Sequence, residues 1–335
     1  MQSSPIIEQL EGVDAQAIPT SVLQSSRPLL LKGFVKQWPA VQKAQSSDQA
    51  ISDYIRSFYN GEPLTAYEGA ATIEGRIFYN DDLTGFNFER TRQDLNAVLD
   101  KLLRCAEESP APTYYVGSTM VDHWLPGFRS ENDIALGTDE SLVSIWIGNR
   151  SRIAAHYDFP DNIACVVAGR RKFTLFPPEQ IDNLYIGPLD FTPSGQAISM
   201  VDTSNPDLQR FPKYAQAMQQ AVVFDVEAGD AVFIPSMWWH HVESLESFNV
   251  LVNYWWRTTP AYLGAPANAL LNSLLSMRDL PQAQKQIWKN LFDYYVFGEQ
   301  ETKFDHIPEN VRGILATLDS EKAQAIKTQL QKFLK

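Results

Sequence analysis

Two short stretches of this chain carry residue types that bind metal ions. His156 and Asp158 are separated by one residue, and residues 235–241 end in the adjacent histidines His240 and His241. On an extended segment, side chains two residues apart lie on one face, so His156 and Asp158 point the same way. A later histidine can complete a set of two imidazoles and one carboxylate. Such a set has no thiolate and leaves coordination sites open, which is typical of non-haem Fe(II) enzymes.

The elements that must position these residues are short strands. From residue 142 onward, eight apolar or alternating runs are separated by turn residues such as Gly, Pro, Asn and Asp. This pattern predicts an antiparallel double-sheet jelly roll, the cupin architecture. The long segment between Phe176 and Met200 is expected to cap the barrel mouth or to contact substrate. The predicted strands are 142–147, 153–158, 162–168, 172–176, 197–201, 221–226, 231–234 and 248–255.

The regions on either side of the barrel differ in type. Residues 47–59 and 91–106 have apolar residues at helical spacing, and Ser47 is a candidate N-cap. After Pro260 the chain has several amphipathic helical segments. We therefore predict a mainly β protein with flanking helices. Its three parts are an α/β N-terminal part (1–112), a double-stranded β-helix or jelly-roll core (113–260) and a helical C-terminal bundle (261–335).

The charge of the chain argues against general nucleic-acid binding. The 40 Asp and Glu residues exceed the 28 Lys and Arg, giving a formal net charge of −12, whereas phosphate backbones favour basic faces. The N-terminus lacks the basic and apolar regions of a signal peptide, and no apolar run is long enough to span a membrane. Cys105 and Cys165 predict no disulfide framework. We expect a cytoplasmic protein that binds neither nucleic acid nor membrane.

A series of motifs accompanies the H-x-D pair in a fixed order over about residues 113–257. The series comprises His156-Tyr157-Asp158, Asn162, Gly169, Leu175-Phe176-Pro177-Pro178, Asn205-Pro206-Asp207, Arg210-Phe211-Pro212, Gly229-Asp230, Ile234-Pro235, Trp238-Trp239-His240-His241 and Asn253-Tyr254-Trp255. It resembles the JmjC, or cupin-8-like, Fe(II)/2-oxoglutarate-dependent oxygenases, and their asparaginyl hydroxylases in particular. An H-x-D pair alone is weak evidence, but this ordered series is specific.

The resemblance implies a ligand set and a cosubstrate pocket. It implies that His156, Asp158 and His240 bind Fe(II) as the catalytic centre, and that His241 points the other way on a strand. Arg210 is a candidate substrate contact at the mouth, or it pins its own loop. The residues that match the family's pocket for 2-oxoglutarate are Tyr115, Asn162, Asn253, Trp255 and, as the basic anchor of the distal carboxylate, Arg171 or the adjacent Lys172.

One position departs from the family pattern. The family has a threonine three residues before the H-x-D histidine, whereas this chain has Ile153. One hydroxyl contact to the cosubstrate carboxylate is therefore missing, unless Ser151 or another pocket residue supplies it. An arginine at position 171 can still pair with a carboxylate through two parallel hydrogen bonds.

The leading interpretation is an Fe(II)- and 2-oxoglutarate-dependent hydroxylase acting on a C–H bond of a protein side chain or a small molecule. One alternative is a metal-dependent cupin dioxygenase or isomerase that does not use 2-oxoglutarate, which Ile153 favours. Another is a non-catalytic jelly-roll binding protein, which the intact triad disfavours. The resemblance also implies a homodimer through the C-terminal helices. Their apolar face would comprise Leu270, Leu271, Leu274, Leu275, Ile287, Leu291 and Tyr295.

Overall fold

The structure, a computed structural model, describes residues 5–138, 140–193, 195–299 and 302–333. The chain divides into two units, Met1–Thr258 and Thr259–Lys335. In the described residues, the first unit combines β sheets with helices and the second is helical. The prediction of a mainly β fold with flanking helices is confirmed, and the division into three parts stays a prediction.

The strands of the first unit pair into two sheets in the part of the chain that the structure describes. One sheet has the order β1-β2-β12-β9-β14-β7-β6-β3-β5, and the other has the order β11-β10-β13-β8-β4. Strands β7 to β14 contribute four strands to each sheet, which is the arrangement of a jelly roll. The strands are β1 (Glu8–Glu11), β2 (Leu29–Lys32), β3 (Leu64–Gly69), β4 (Arg76–Ile77), β5 (Glu89–Gln93), β6 (Thr113–Met120), β7 (Leu142–Gly148), β8 (Ser151–His156), β9 (Asp161–Ala168), β10 (Arg170–Phe176), β11 (Val222–Glu227), β12 (Ala231–Ile234), β13 (Trp239–Ser244) and β14 (Asn249–Trp256).

Two helices of the first unit begin after a side chain that accepts a hydrogen bond from a free backbone N–H group. The side chain of Ser47 accepts a hydrogen bond from the N–H of Ala50 at 3.0 Å, so its predicted capping role is confirmed. Asp94 caps α4 in the same way, and residues 91–93 belong to β5 rather than to the predicted helix. The helices are α1 (Thr20–Leu23), α2 (Pro39–Ser46), α3 (Asp48–Arg56), α4 (Leu95–Arg104), α5 (Val121–Trp124), α6 (Tyr214–Gln220), α7 (Pro266–Met277), α8 (Gln282–Phe292) and α9 (Ser320–Phe333).

A tight turn at Gly169 takes the chain from one sheet to the other. Strand β9 lies in the larger sheet and β10 in the smaller, with Gly169 between them at a φ of +73°. A Cβ atom at this position would lie 2.7 Å from the carbonyl oxygen of Phe248. Only glycine combines this backbone conformation with such a close approach. The turn therefore sets where β10, which carries Arg171, enters the barrel.

Of the predicted barrel strands one is wrong, and one strand of the barrel was not predicted. Residues 197–201 form no strand. Ser199 makes an isolated bridge to Ile186, its N–H donates to the carbonyl of Ala155, and its hydroxyl donates to the carbonyl of Leu184. The remaining barrel strand is β13, which carries both His240 and His241. Strand β13 is buried on both faces, so it lacks the polar–apolar alternation that identifies a half-buried strand.

Neither cysteine is disulfide-bonded, and both Cys105 and Cys165 are buried. Among the described residues, no helix combines the length and the apolar character that crossing a membrane requires.

Candidate active site

Strands β8 and β13 bring two histidines side by side. His156 ends β8 and pairs with His240 of β13, and their ring centroids are 4.2 Å apart. Asp158 lies in the loop after β8, with its Oδ2 3.6 Å from Nε2 of His240. One ligand atom from each of the three residues lies within 4.8 Å of the other two. This spacing suits the coordination of one metal ion by all three side chains.

Backbone carbonyl groups fix the orientation of both imidazoles. Nδ1 of His156 lies 2.9 Å from the carbonyl oxygen of Ala154, and Nδ1 of His240 lies 3.0 Å from that of Trp238. A carbonyl oxygen only accepts hydrogen bonds, so each Nδ1 carries the proton and donates it. The lone pair of each Nε2 is therefore available for a metal ion.

Burial keeps the second imidazole neutral. The buried position of His240, together with the neighbouring His156, lowers the pKa of His240 to about 4. At neutral pH its Nε2 carries no proton, so a metal ion does not have to displace one. His240 thus fits a divalent cation in both tautomer and charge.

A chain of hydrogen bonds holds the carboxylate of Asp158. The indole Nε1–H of Trp255 donates to its Oδ2 at 2.9 Å, and Nδ2 of Asn162 donates to the same atom at 3.3 Å. Nδ2 of Asn253 in turn donates to Oδ1 of Asn162 at 2.6 Å. These bonds orient the carboxylate toward the histidines, as outer partners of metal ligands do.

A turn between β12 and β13, residues 235–238, ties the two ligand-bearing segments together. We call it the clamp turn. The N–H of Met237 donates to the carbonyl oxygen of Asp158 at 2.9 Å, and the Ser236 hydroxyl donates to that of Phe159 at 2.5 Å. The N–H of Ser236 donates to Oδ1 of Asp161 at 2.9 Å. Met237 has a φ of +68°, an uncommon conformation for a non-glycine residue. The clamp turn therefore holds Asp158 at a fixed position relative to His240.

A cavity of about 740 Å³ contains the three candidate ligands in its wall. Its volume lies within the usual range for sites that bind small molecules. The segment between Phe176 and Met200 reaches the cavity, as expected from the sequence. Its contributing residues are Thr192, Pro193, Gly195, Gln196 and Ile198.

Arg171 places a buried cation in the same cavity wall. The residue is 2% exposed, and its Nε and Nη2 have no hydrogen-bond partner among the described residues. Burial lowers the pKa of Arg171 to about 10, so the guanidinium remains charged at neutral pH. A buried charge without a partner is strongly unfavourable. The unpaired donors therefore fit an anionic ligand such as a carboxylate.

Two aromatic donors line the cavity with Arg171. The rings of Tyr115 and Trp146 lie 6.0 Å apart, centroid to centroid. Burial raises the pKa of Tyr115, so its phenol keeps its proton and can donate it. The Nε1–H of Trp146 is buried and has no acceptor in the described part of the chain. Together with Arg171, these groups offer the donors that an oxygen-rich ligand needs.

Comparison with known proteins agrees with this architecture. A model of the cupin-like domain matches residues 15–262, which is most of the chain. The chain belongs to the cupin-like domain family. The resemblance to JmjC-type oxygenases is thereby confirmed at the level of the family.

The cupin-like chain is also similar to three curated relatives. It is 30% identical over 202 residues to a lysine-specific demethylase, JMJ31, of Arabidopsis thaliana, and 38% identical over 106 residues to the tRNA wybutosine-synthesizing protein 5 of Gallus gallus. These alignments cover 56% and 32% of the chain and only 36% and 30% of the two relatives. It is 26% identical over 262 residues to the human bifunctional peptidase and (3S)-lysyl hydroxylase JMJD7, covering 69% of the chain and 77% of that protein.

Two predicted site residues of the cupin-like chain, Lys172 and Arg210, do not line the cavity, and neither does His241. Nζ of Lys172 lies 3.6 Å from Oε1 of Glu243, and Lys172 does not line the cavity, whereas its neighbour Arg171 does. His241 lies beside the same Glu243. Arg210 is exposed, and its guanidinium lies 5.0 Å from the ring centroid of Phe211. Its role in substrate binding stays a prediction.

An apolar side chain occupies the position at which the family has a threonine hydroxyl. Ile153 lies in the cavity wall. The hydroxyl of Ser151 bonds to that of Ser244 at 3.1 Å, and Ser151 does not line the cavity. Ser151 is therefore occupied elsewhere in the barrel.

Sequence reasoning missed several residues of the site. Trp146 was not predicted, although its place in a predicted strand was a usable signal, because a large aromatic side chain on the inner face of a barrel occupies part of its interior. The clamp residues Ser236 and Met237 carry no such signal. Their contribution comes from two backbone N–H groups, which almost any residue type possesses, and from the Ser236 hydroxyl, whose partner Phe159 is 77 residues away in the chain.

Proposed function

We propose that this protein is an Fe(II)- and 2-oxoglutarate-dependent oxygenase that hydroxylates a C–H bond of its substrate. The observation that carries the proposal is the combination of two features in one cavity. The first is the triad of His156, Asp158 and His240, with ligand atoms within 4.8 Å of one another. The second is the buried guanidinium of Arg171, whose Nε and Nη2 lack partners among the described residues. A metal ion and a dicarboxylate would satisfy both features.

The residues of the cavity wall would bind the metal ion and the cosubstrate at separate positions. His156, Asp158 and His240 would hold Fe(II), which together with 2-oxoglutarate supplies the activation of O2 for hydroxylation. Arg171 and the Tyr115 phenol would bind the distal carboxylate of 2-oxoglutarate. The unpaired N–H of Trp146 is the candidate to replace the hydroxyl that Ile153 lacks.

Further cavity residues would shape the space around the reacting atoms. Asn162 and Trp255 keep the carboxylate of Asp158 oriented, and Asn253 orients Asn162. The apolar and aromatic side chains of the wall would exclude water from the reacting atoms.

The alternative of a cupin enzyme that does not use 2-oxoglutarate rests on Ile153. An apolar residue in the cavity wall removes one expected carboxylate contact. Arg171 argues against this alternative, because a neutral ligand would leave the buried guanidinium without a counter-charge, which is strongly unfavourable. A non-catalytic binding protein would need neither the oriented imidazoles nor the clamp turn.

The identity of the target is not fixed by the similar proteins. Their names describe a lysine-specific demethylase, a lysyl hydroxylase and a protein of tRNA wybutosine synthesis. We therefore propose a protein side chain or a small molecule as the target. The net charge of −12 supports the prediction that nucleic acid is not bound.

The test is turnover of 2-oxoglutarate without added substrate. Protein loaded with Fe(II) is incubated aerobically with 2-oxoglutarate and ascorbate, and succinate is measured by NMR. We expect slow accumulation of succinate by the wild type and none by His156→Ala. Absence of succinate from iron-loaded wild type, with every candidate substrate added as well, would contradict the proposal.

We also propose that the protein is a cytoplasmic homodimer formed through its C-terminal helices. Two buried thiols without a disulfide support a reducing compartment. Helices α7 and α8 expose large apolar side chains that a second copy would cover. They are Leu270, Leu271, Leu275, Ile287, Trp288 and Leu291.

A further inference from the structure

Two glycines lie against the ring of Tyr115 in the cavity wall. Gly148 of β7 is the Cα partner of Tyr115 in β6, and Gly117 lies two residues after Tyr115 and lines the same cavity. A Cβ atom at Gly148 would lie 3.0 Å from Cδ2 of Tyr115, and one at Gly117 would lie 2.9 Å from Cε1. These two carbons belong to opposite edges of the ring. The ring therefore rests across both glycines.

Gly117 also lies against the second aromatic donor, Trp146. A Cβ atom at position 117 would lie 3.1 Å from Cζ3 and 3.3 Å from Cε3 of the indole. These carbons are on the side of the indole away from Nε1. A side chain at position 117 would therefore displace the N–H of Trp146 as well as the ring of Tyr115.

A β-bulge places Gly117 between the two rings. The register of β6 and β7 shifts between Val116 and Thr119, so that Gly117 and Ser118 together lie opposite Trp146. Bulges of this kind redirect side chains and are common next to active sites. Gly117, Ser118 and Trp146 all line the cavity.

Space, and not backbone conformation, requires glycine at position 117. The φ of Gly117 lies outside the left-handed region, so an alanine could adopt the same backbone. At such a position, replacing glycine by alanine lowers the entropy of the unfolded chain and by itself stabilises the fold. What opposes an alanine is contact of its methyl group with the rings of Tyr115 and Trp146.

The two rings carry donors that lie beside the unpaired guanidinium of Arg171. Burial raises the pKa of Tyr115, and the nearby charge of Arg171 opposes that rise. The Nε1–H of Trp146 has no acceptor in the described part of the chain. Hydrogen bonds to a carboxylate are strong but depend on distance and direction. A displacement of either ring by a few tenths of an ångström would therefore weaken them.

We propose that Gly117 is a positioning residue for the cosubstrate. The space that it leaves lets Tyr115 and Trp146 direct both donors toward the carboxylate bound by Arg171. This inference rests on the proposed oxygenase function. It explains how a chain with Ile153 in place of a hydroxyl completes the carboxylate site, because an indole N–H replaces the hydroxyl and the indole needs the room beside Gly117.

The experiment compares two 2-oxo acids as ligands of Mn(II)-loaded protein by calorimetry. 2-Oxoglutarate has a distal carboxylate, whereas 2-oxopentanoate has the same carbon chain and ends in a methyl group. Gly117→Ala should raise the Kd of 2-oxoglutarate about tenfold, because two hydrogen bonds to a charged group are weakened. The Kd of 2-oxopentanoate and the affinity for Mn(II) should stay near those of wild type. Gly264→Ala is the control, because it adds the same methyl group where no atom lies within 4 Å.

A double-mutant cycle tests whether Gly117 acts through the phenol. Tyr115→Phe keeps the ring and removes the hydroxyl. In this background, Gly117→Ala should raise the Kd of 2-oxoglutarate by no more than about threefold, since one of the two donors that the methyl group displaces is already absent. A purely structural effect would give the same factor in both backgrounds and would weaken the binding of both 2-oxo acids.

A second variant covers the case in which Gly117→Ala does not fold. In Gly117→Ala/Trp146→Phe, a smaller ring gives the methyl group room, while its contact with Tyr115 remains. Compared with Trp146→Phe, this variant should still bind 2-oxoglutarate more weakly.

Three results would overturn the inference. They are a wild-type Kd for 2-oxoglutarate in Gly117→Ala, an equal rise of Kd for both 2-oxo acids, or an equal factor with and without the Tyr115 hydroxyl. Failure of the proposed function is distinguishable, because wild-type protein would then bind 2-oxoglutarate no more tightly than 2-oxopentanoate. That result would contradict the cosubstrate itself and the inference with it.

Discussion

Replacing Arg171 with methionine should have opposite effects on stability and on cosubstrate binding. Its pKa lies near 10 rather than 12.5, which corresponds to about 3 kcal/mol of unfavourable free energy for the charged form without a partner. Methionine fills much of the same volume without a charge. The free energy of unfolding of the cosubstrate-free variant should therefore rise by about 1–3 kcal/mol. In a unit of this size, each kcal/mol raises Tm by about 2–4 °C.

The same variant should bind 2-oxoglutarate much more weakly. Removing one partner of a buried ion pair costs about 2–5 kcal/mol, so Kd should rise by a factor of about 30 to several thousand. Urea unfolding measures the first effect, and titration of 2-oxoglutarate into Mn(II)-loaded protein measures the second.

Lys172→Met is the matched control, because Lys172 is adjacent in the strand but faces Glu243 outside the cavity. It should leave the affinity for 2-oxoglutarate near that of wild type. A variant Arg171→Met with wild-type affinity, or an affinity loss confined to Lys172→Met, would refute the assignment of the carboxylate anchor. Destabilisation of the cosubstrate-free Arg171→Met variant would refute the view that this cation lacks a partner.

Three further predictions concern the metal centre and the dimer. Ser236→Ala removes the hydrogen bond from the hydroxyl to the carbonyl of Phe159 and should weaken Co(II) binding about 10- to 100-fold in an absorption titration. An unchanged affinity for Co(II) would mean that the clamp turn is dispensable. The pKa of His240 is about 4 in the folded protein and near 6.5 in the unfolded chain. At pH values between these two, the unfolded state therefore binds more protons than the folded state. The metal-free protein should therefore lose stability as pH falls from 6.5 to 4, by up to about 3 kcal/mol, and His240→Gln should remove this part of the pH dependence in urea unfolding. Leu275→Glu replaces a leucine side chain that is 80% exposed with a charged one. Light scattering should find a dimer for wild type and a monomer for the variant. A wild-type monomer at micromolar concentration would exclude the dimer.

The barrel was largely predictable because most of its strands alternate or end at turn residues. Seven of the eight predicted strand runs coincide with β7 to β12 and β14, to within a few residues. The failure at 197–201 and the omission of β13 have different causes. Burial on both faces removes the polar–apolar alternation from β13, whereas the apolar run 197–201 packs against the barrel with only an isolated bridge.

The candidate ligands were predictable because their spacing is local. His156 and Asp158 are two residues apart, and the later histidine follows an ordered motif. The resemblance left Arg171 and Lys172 as alternatives for the anchor of the distal carboxylate. The direction in which each side chain of β10 points separates the two. Adjacent strand residues face opposite ways, and the structure places Arg171 in the cavity and Lys172 beside Glu243.

Two arginines of the cavity wall were not predictable from sequence. Arg90 lies in β5, of which only residues 91–93 fell within the predicted helix 91–106, and Arg257 lies two residues after the last motif residue, Trp255. Their proximity to one cavity depends on sheet order, which places β5 and β14 in the same sheet with three strands between them. No local pattern encodes such a long-range arrangement.

The most direct test of the central claim is an anaerobic titration of Fe(II), and then of 2-oxoglutarate, into metal-free protein, followed by visible absorption. We expect a charge-transfer band that requires both additions and is absent in His156→Ala. In Arg171→Met, the band should require a much higher concentration of 2-oxoglutarate. Iron binding without such a band, even at high 2-oxoglutarate concentration, would contradict the account and favour a cupin enzyme that does not use this cosubstrate.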